Sequence, residues 1–236
     1  AYLAVEAGGL ISGKTRIDIL VTPIATICTG AAAGLSIGVP IATFMTAAGS
    51  LINWGAEQQP FWAGIIVSAL MGIALTLPIS SAAIGISLNL NGIAAGAAAV
   101  GCAANMIGFA AASFRENRLG GFAAQGLGTS MLQMPNIIRR PVIWLPAILT
   151  SIILGPISTC LLQMPNSPTG SGMGTCGLVG QIMAFQTMTQ AGTSVGSAMI
   201  QILLMHFVLP SLLAFWISEI MRKKGWIRKG DMKLDI

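Results

Sequence analysis

The stretch MPNSPTGSGMGTCGLVGQ, from Met164 to Gln181, decides how the rest of the chain is read. It holds five glycines and two prolines among Asn, Ser, Thr and Gln, and carries no charge. Such residues interrupt helices and demand hydrogen-bond partners, yet they sit deep in a chain otherwise composed for lipid. Hydrophobic residues make up 54% of the sequence and charged residues 8%, where a soluble domain carries about 25% charge. Mean hydropathy is +0.81. Between Ile19 and Ser218 the only charges are Glu57, Arg115, Glu116, Arg118, Arg139 and Arg140. No water-facing surface can be made from so few, so the composition predicts an all-α, polytopic integral membrane protein.

Within hydrocarbon, irregular backbone survives only where protein or a water-filled cavity satisfies its polar groups. Met164–Gln181 and a second piece, TLPISSAAIGISLNLNG (76–92), are therefore predicted to turn back inside the protein as re-entrant or broken half-helices lining a cavity. Neutral amides and hydroxyls donate and accept hydrogen bonds without fixing a charge, which suits a small, neutral, polyhydroxylated solute. The expected solute ligands are Asn166, Thr169, Ser171, Thr175 and Gln181 from the first piece, and Ser80, Ser81 and Asn89 from the second. A long polar loop at the membrane surface is the plainer alternative.

A spanning helix needs about 20 mostly apolar residues. Ile19–Val39, Phe61–Ile79, Val142–Leu162 and Val195–Ser218 qualify, and Ile93–Phe114 is a fifth, so rich in Gly and Ala that close helix packing is expected. Prolines at 23, 146, 156 and 210 should kink or interrupt these spans. Ile41–Ile52, Phe122–Met134 and Leu178–Met188 are too short to cross and read as half-helices or interfacial pieces. The densest basic cluster, Arg222–Lys229, predicts a cytoplasmic C-terminal tail over 222–236. NWGAEQQPFW (53–62), with two Trp and no Lys or Arg, reads as an outer interfacial loop. The clear spans do not bring every basic cluster to one side, so the number of crossings stays open. LQMPN occurs at 132–136 and again at 162–166, on either side of one span. The two copies either mark opposite membrane faces or are a coincidence of turn sequence.

Other signals are weaker. GGLISGKT (8–15) matches the G-x-x-x-x-G-K-[ST] phosphate loop letter for letter. No buried strand precedes it and a lipid-length apolar run follows, so a basic turn at a helix mouth is the preferred reading over a nucleotide site. Cys28, Cys102, Cys160 and Cys176 are far apart, and the single His cannot complete a zinc set. The cysteines are read as packing residues, with no metal, cofactor or catalytic residue expected. No carboxylate lies centrally in a span, which disfavours an ion pump. His206 is the one ionisable group within a clear span, and either a structural hydrogen bond or a proton relay would explain it. The basic tail is read as a membrane anchor rather than a nucleic-acid surface.

SGKTRIDILVTP (12–23), TLPISSAAI (76–84), FRENRLGGFAAQGLGTSMLQMPNI (114–137) and GPISTCLLQMPNSPTGSGMGTCGLVGQ (155–181) together resemble the PfoR-like membrane proteins. That group is classed with the EIIC permeases of the bacterial sugar phosphotransferase system. The resemblance implies a permease subunit in a bacterial cytoplasmic membrane and a homodimer. It also implies a sugar-like solute and separate soluble phosphotransferase components that would do any phosphotransfer. Members carry further N-terminal membrane segments, which suits a chain that opens on Ala; the 236 residues read as a single permease domain. The Gly-Ile-Thr-Glu motif, whose Glu holds sugar in glucose-type permeases, is missing. The alternative function is a membrane sensor or toxin-regulator-like protein that transports nothing.

Overall fold

A computed structural model describes residues 5–6, 9–10, 12 and 18–234. Among the described residues the structure is helical, apart from one isolated β-bridge between Gly92 and Asn166. Gly8, Gly13, Lys14 and Thr15 of the phosphate-loop match lie outside the described residues. In chain order the helices are α1 (Asp18–Gln58), α2 (Pro60–Thr76), α3 (Ser81–Ser87), α4 (Gly92–Ala112), α5 (Phe114–Ala123), α6 (Met134–Arg139) and α7 (Leu145–Pro156). They continue with α8 (Pro168–Ser171), α9 (Val179–Gln190), α10 (Val195–Leu203) and α11 (Leu209–Lys223).

The chain divides into two compact units, Ala1–Ala48 and Gly49–Ile236. In the first unit α1 holds Pro23 and Pro40 within its length. Threonine hydroxyls bond back along the helix, Thr26 to the Thr22 carbonyl at 2.8 Å and Thr46 to Ala42 at 2.9 Å. Ile41–Ile52, expected as a separate half-helix, lies within α1. Likewise the outer loop expected over 53–62 is a helix–helix junction with its one break at Gln59, where Pro60 takes the first position of α2. Proline is at home there because its missing N–H would have had no helical partner.

The second unit is built around α4, whose sequence GIAAGAAAVGCAANMIGFAAA is buried from Ala94 to Ala112. Small side chains let backbones approach closely. A Cβ on Gly101 would strike the Ser68 carbonyl, and one on Gly155 would strike the Gly64 carbonyl. These contacts give the directions. Ser68 meets Gly101 and Thr76 meets Asn105, so α2 runs parallel to α4. Ser151 meets Gly101 and Ala147 meets Gly108, so α7 runs antiparallel. Gly108 meets Ala214 and the Arg222 guanidinium meets the Ala112 carbonyl, so α11 runs parallel.

Among the described residues three helical segments are long and apolar enough to cross a membrane: Gly92–Ala112, Pro141–Leu161 and Val195–Lys223. The last two are continuous only through π-helical turns, at Ile157–Leu161 after Pro156 and at Leu204–Val208 before Pro210. Pro60–Thr76 is apolar but shorter. Its helix ends because Leu77, before Pro78, is extended at ψ 156°. The chain then turns, and Ser80 caps α3 by accepting from the Ala83 N–H at 3.2 Å. The expected span over 61–79 is thus the inbound limb of a dip that returns through α3 to Asn91.

Candidate functional site

Three segments of the second unit each dip inward and return to the end they came from, two at the Gly92 end of α4 and one at its Ala112 end. At the Gly92 end, α2 and α3 form the first dip. The opening stretch forms the second: Asn166 donates its backbone N–H to the Gly92 carbonyl at 3.0 Å, the chain passes inward, and α9 carries it back out. Gly174, at φ +51°, presses against the backbone of Cys102 and Ala103, half-way along α4. Only a residue without a Cβ takes that left-handed conformation at such close range without strain. From the Ala112 end, residues 114–140 make the third dip. Arg118 at φ 54° kinks α5, the π-turn Ala124–Gly128 reverses the chain, and the Thr129 hydroxyl caps the return by accepting from the Met131 N–H at 3.1 Å.

The tips of the three dips meet. Ser81 Oγ donates to the Gly172 carbonyl at 2.7 Å, and a Cβ on Gly172 would strike Ser81. Thr175 Oγ1 donates to the Gly126 carbonyl at 2.5 Å, and the Ser130 and Thr76 hydroxyls lie 2.8 Å apart. Between the tips is a cavity of about 180 Å³ walled by Ser80, Ser81, Gly128, Thr129, Gly172 and Cys176, with Leu75, Met106 and Met131 as its apolar side. Met106 is six residues short of Ala112, which at about 1.5 Å per residue places the cavity about 9 Å inside that end of α4.

The hydroxyls in this wall keep hydrogen-bonding capacity, since a hydroxyl offers one donor and two acceptor positions. Ser80 and Thr129 use theirs to accept from backbone N–H groups, leaving each a donor; Ser81 donates to Gly172, leaving acceptors. Of the eight residues expected as ligands, Ser80 and Ser81 line the cavity. The others shape its surroundings. Asn166 is buried, with Nδ2 on the Gly180 carbonyl at 3.2 Å and Oδ1 accepting from the Ser167 N–H at 2.8 Å. Ser171 donates to the Pro168 carbonyl at 2.8 Å. Thr175 is the tie to Gly126, and exposed Thr169 is 3.0 Å from the Ser167 hydroxyl. Asn89, at φ 49°, offers its carbonyl to the amides of Asn53 and Asn91.

Gln181 lies elsewhere, its Nε2 2.8 Å from His206 Nδ1. Both side chains are buried, and the Gln181 Oε1 has no partner among the described residues. Thr129 and Cys176 are wall residues able to hydrogen-bond that sequence reasoning left out. Cys176 was read as packing, and the dip that delivers Thr129 has no sequence feature fixing where its tip lands. Of the other cysteines, Cys102 is buried as expected, whereas Cys28 and Cys160 are exposed. No group of metal-ligating side chains occurs among the described residues.

Behind the cavity runs a buried polar chain. Asn105 Nδ2 donates to Ser151 Oγ at 3.0 Å and to the Gly101 carbonyl at 3.1 Å. Its Oδ1 accepts from Thr76 Oγ1 at 3.3 Å and from the Trp144 indole at 3.1 Å. At the Ala112 end the Glu116 carboxylate pairs with Arg222 at 2.8 Å and accepts from the Met232 N–H at 2.9 Å. Arg115–Glu219 at 3.1 Å and Arg140–Asp231 at 3.9 Å complete the set. The third dip thus places the basic clusters at 115–118, 139–140 and 222–229 at one end, which the spans alone did not do. The two LQMPN copies fall at opposite ends of Pro141–Leu161, the first beside the tail and the second beside Gly92.

A family model described as phosphotransferase system, EIIC, matches residues 1–234. No curated protein and no solved structure matches the chain.

Proposed function

The chain belongs to the EIIC family of the phosphotransferase system and is a membrane-embedded, permease-type component of that system; on that premise we propose that it carries a small, neutral, sugar-like solute through the cavity where the three dips meet. The observation that carries this reading is the cavity itself. It is lined by unionised hydroxyls with spare donors and acceptors, lies within the depth of the long helices, and is walled by backbone from both ends of the unit. Broken helices that meet at a polar site inside the membrane, approached from both faces, suit alternating access. At about 180 Å³ the cavity is smaller than the roughly 300–1,000 Å³ of drug-sized ligand pockets. That favours a monosaccharide-sized solute over an oligosaccharide.

Ser80, Ser81 and Thr129 are proposed to contact the solute. Asn166, Ser171 and Thr175 hold the second dip in the shape that presents Gly172 and Cys176, while Thr169, Asn89 and Gln181 act at its margins. The basic end is proposed to face the cytoplasm, by the excess of Lys and Arg there. Soluble components of the same system would meet the protein on that face. The resemblance further implies a homodimer, which the mass of the detergent-solubilised particle would test. The functional test is uptake of labelled monosaccharides into proteoliposomes. A solute taken up by the parent protein and not by Ser81→Ala supports the reading. Equal uptake of that solute by both proteins removes Ser81 from the site.

A further inference from the structure

Apart from the hydroxyl-lined cavity, the second unit holds a larger space of different character. It is a groove of about 590 Å³ between α9 and the first half of the Val195–Lys223 span, and it shares no wall residue with the cavity. Ile182, Phe185, Met199 and Phe207 make its wall apolar. Ile182 and Met199 are exposed, so the groove opens on the lipid. Its volume falls in the roughly 300–1,000 Å³ range of pockets that enclose one small ligand. The polar wall residues are Gln181 and exposed Gln186.

Gln181 sits at half depth. A Cβ on Gly180 would strike the Gly174 carbonyl, and Gly174 in turn presses on Cys102, half-way along α4. Hydrocarbon at that level supplies no water to satisfy a polar group. Gln181 is 7% exposed, and its Nε2 is 2.8 Å from His206 Nδ1, which takes one half of the amide. The other half, Oε1, is buried without a partner among the described residues. Turning the amide over would exchange the two atoms and still leave one unspent. Gln181 borders the groove, so a molecule seated there can supply the missing bond. A hydroxyl fits either orientation of the amide, because it both donates and accepts.

We propose that this groove binds a membrane-dissolved phenol, an apolar, ring-bearing molecule whose hydroxyl bonds to the unspent half of the Gln181 amide. The wall suits a ring. Phe185 and Phe207 offer aromatic faces and edges, and Met199 a thioether that packs well against them. A phospholipid acyl chain would match the apolar wall but bring nothing to Gln181, since its polar atoms stay at headgroup level. The amide belongs to the same dip that presents Gly172 and Cys176 to the cavity, so the ligand touches that dip without entering the cavity. The inference stands independently of what the cavity carries.

The full chain in lipid nanodiscs is titrated with tritiated 4-hexylphenol, and unlabelled 4-hexylphenol and hexylbenzene compete against it. Amounts are expressed per lipid, which removes differences in partitioning. Saturable binding is expected, with the phenol competing about tenfold or more better than hexylbenzene, because the two share a body and differ in the hydroxyl. In Gln181→Leu that preference should vanish. This substitution also takes a partner from His206, so its folding is checked by melting temperature. Met199→Trp fills the groove and leaves the Gln181–His206 pair intact; it should abolish saturable binding of the phenol. Four results overturn the proposal. They are no saturable binding in the parent, as a groove covered by a second copy would give, and equal competition by hexylbenzene, as a plain acyl-chain groove would give. The others are a preference for the phenol that survives Gln181→Leu, and binding that survives Met199→Trp.

Discussion

Asn105 shows how a single polar residue organises the centre of an otherwise apolar unit. All its hydrogen-bonding positions are taken, by Thr76, Trp144, Ser151 and Gly101. Asn105→Ala removes the bonds to Thr76 and Ser151 and takes from the Trp144 indole N–H its acceptor; it should destabilise the fold by about 1–3 kcal/mol, read as a lower melting temperature in detergent. Ser81→Ala acts differently. It removes a hydroxyl facing the cavity and should weaken solute binding by roughly ten- to a hundredfold. Asn166→Ala removes a strut, so it should lower melting temperature and uptake together. These roles were only partly legible. That Asn105, Ser80, Ser81 and Asn166 stand out as polar residues in an apolar chain is plain from the sequence. Which of them face a cavity and which face backbone depends on contacts made far along the chain, 29 residues away for Asn105 on Thr76 and 91 for Ser81 on Gly172. No local pattern encodes those contacts.

Among the elements, Gly- and Pro-rich composition was a reliable sign of the two dips at the Gly92 end. Helix-breaking residues inside a membrane chain have few other places to go. The third dip was harder to read. FRENRLGGFAAQGLGTSMLQMPN carries charges that suit a surface loop, and its inward turn depends on Gly126 packing against Ile107 and Ala110 and on the bond from Thr175. The tail reads in sequence as a basic membrane anchor, with no local sign of what it packs on. In the structure residues 226–234 fold back and are held by Glu116, Asn117, Gln133 and Asn136. That clamp steadies the dip that supplies Gly128, Thr129 and Met131 to the cavity. Replacing Asn117 and Gln133 together by Ala should loosen it and speed alkylation of Cys176 by a maleimide severalfold, with Cys28 and Cys160 replaced by Ser. An unchanged rate would show that the cavity wall is stable without the clamp.

For the whole molecule, membrane character and helical class follow from composition alone, because eight charged residues in a hundred cannot solvate a surface. The number of crossings does not, since α2 has the apolarity of a span and the path of a dip. The structure suggests a clear labelling test of orientation. Exposed Gln58 lies near the Gly92 end and exposed Lys229 in the basic tail. Single cysteines at these positions should react with an impermeant reagent from opposite sides of the membrane, Gln58→Cys from outside intact cells and Lys229→Cys only in inverted vesicles.

The central claim is that the meeting point of the three dips is a watery chamber inside the membrane. It is tested most directly by the reaction of Cys176 with a small charged methanethiosulfonate in membranes, in a protein with Cys28 and Cys160 replaced by Ser. Leu203→Cys, on an exposed apolar face about a third of the way along Val195–Lys223, serves as the lipid-facing control in a protein that also lacks Cys176. The account predicts that Cys176 is modified readily and Leu203→Cys hardly at all; a Cys176 as inert as the lipid-facing cysteine would contradict it.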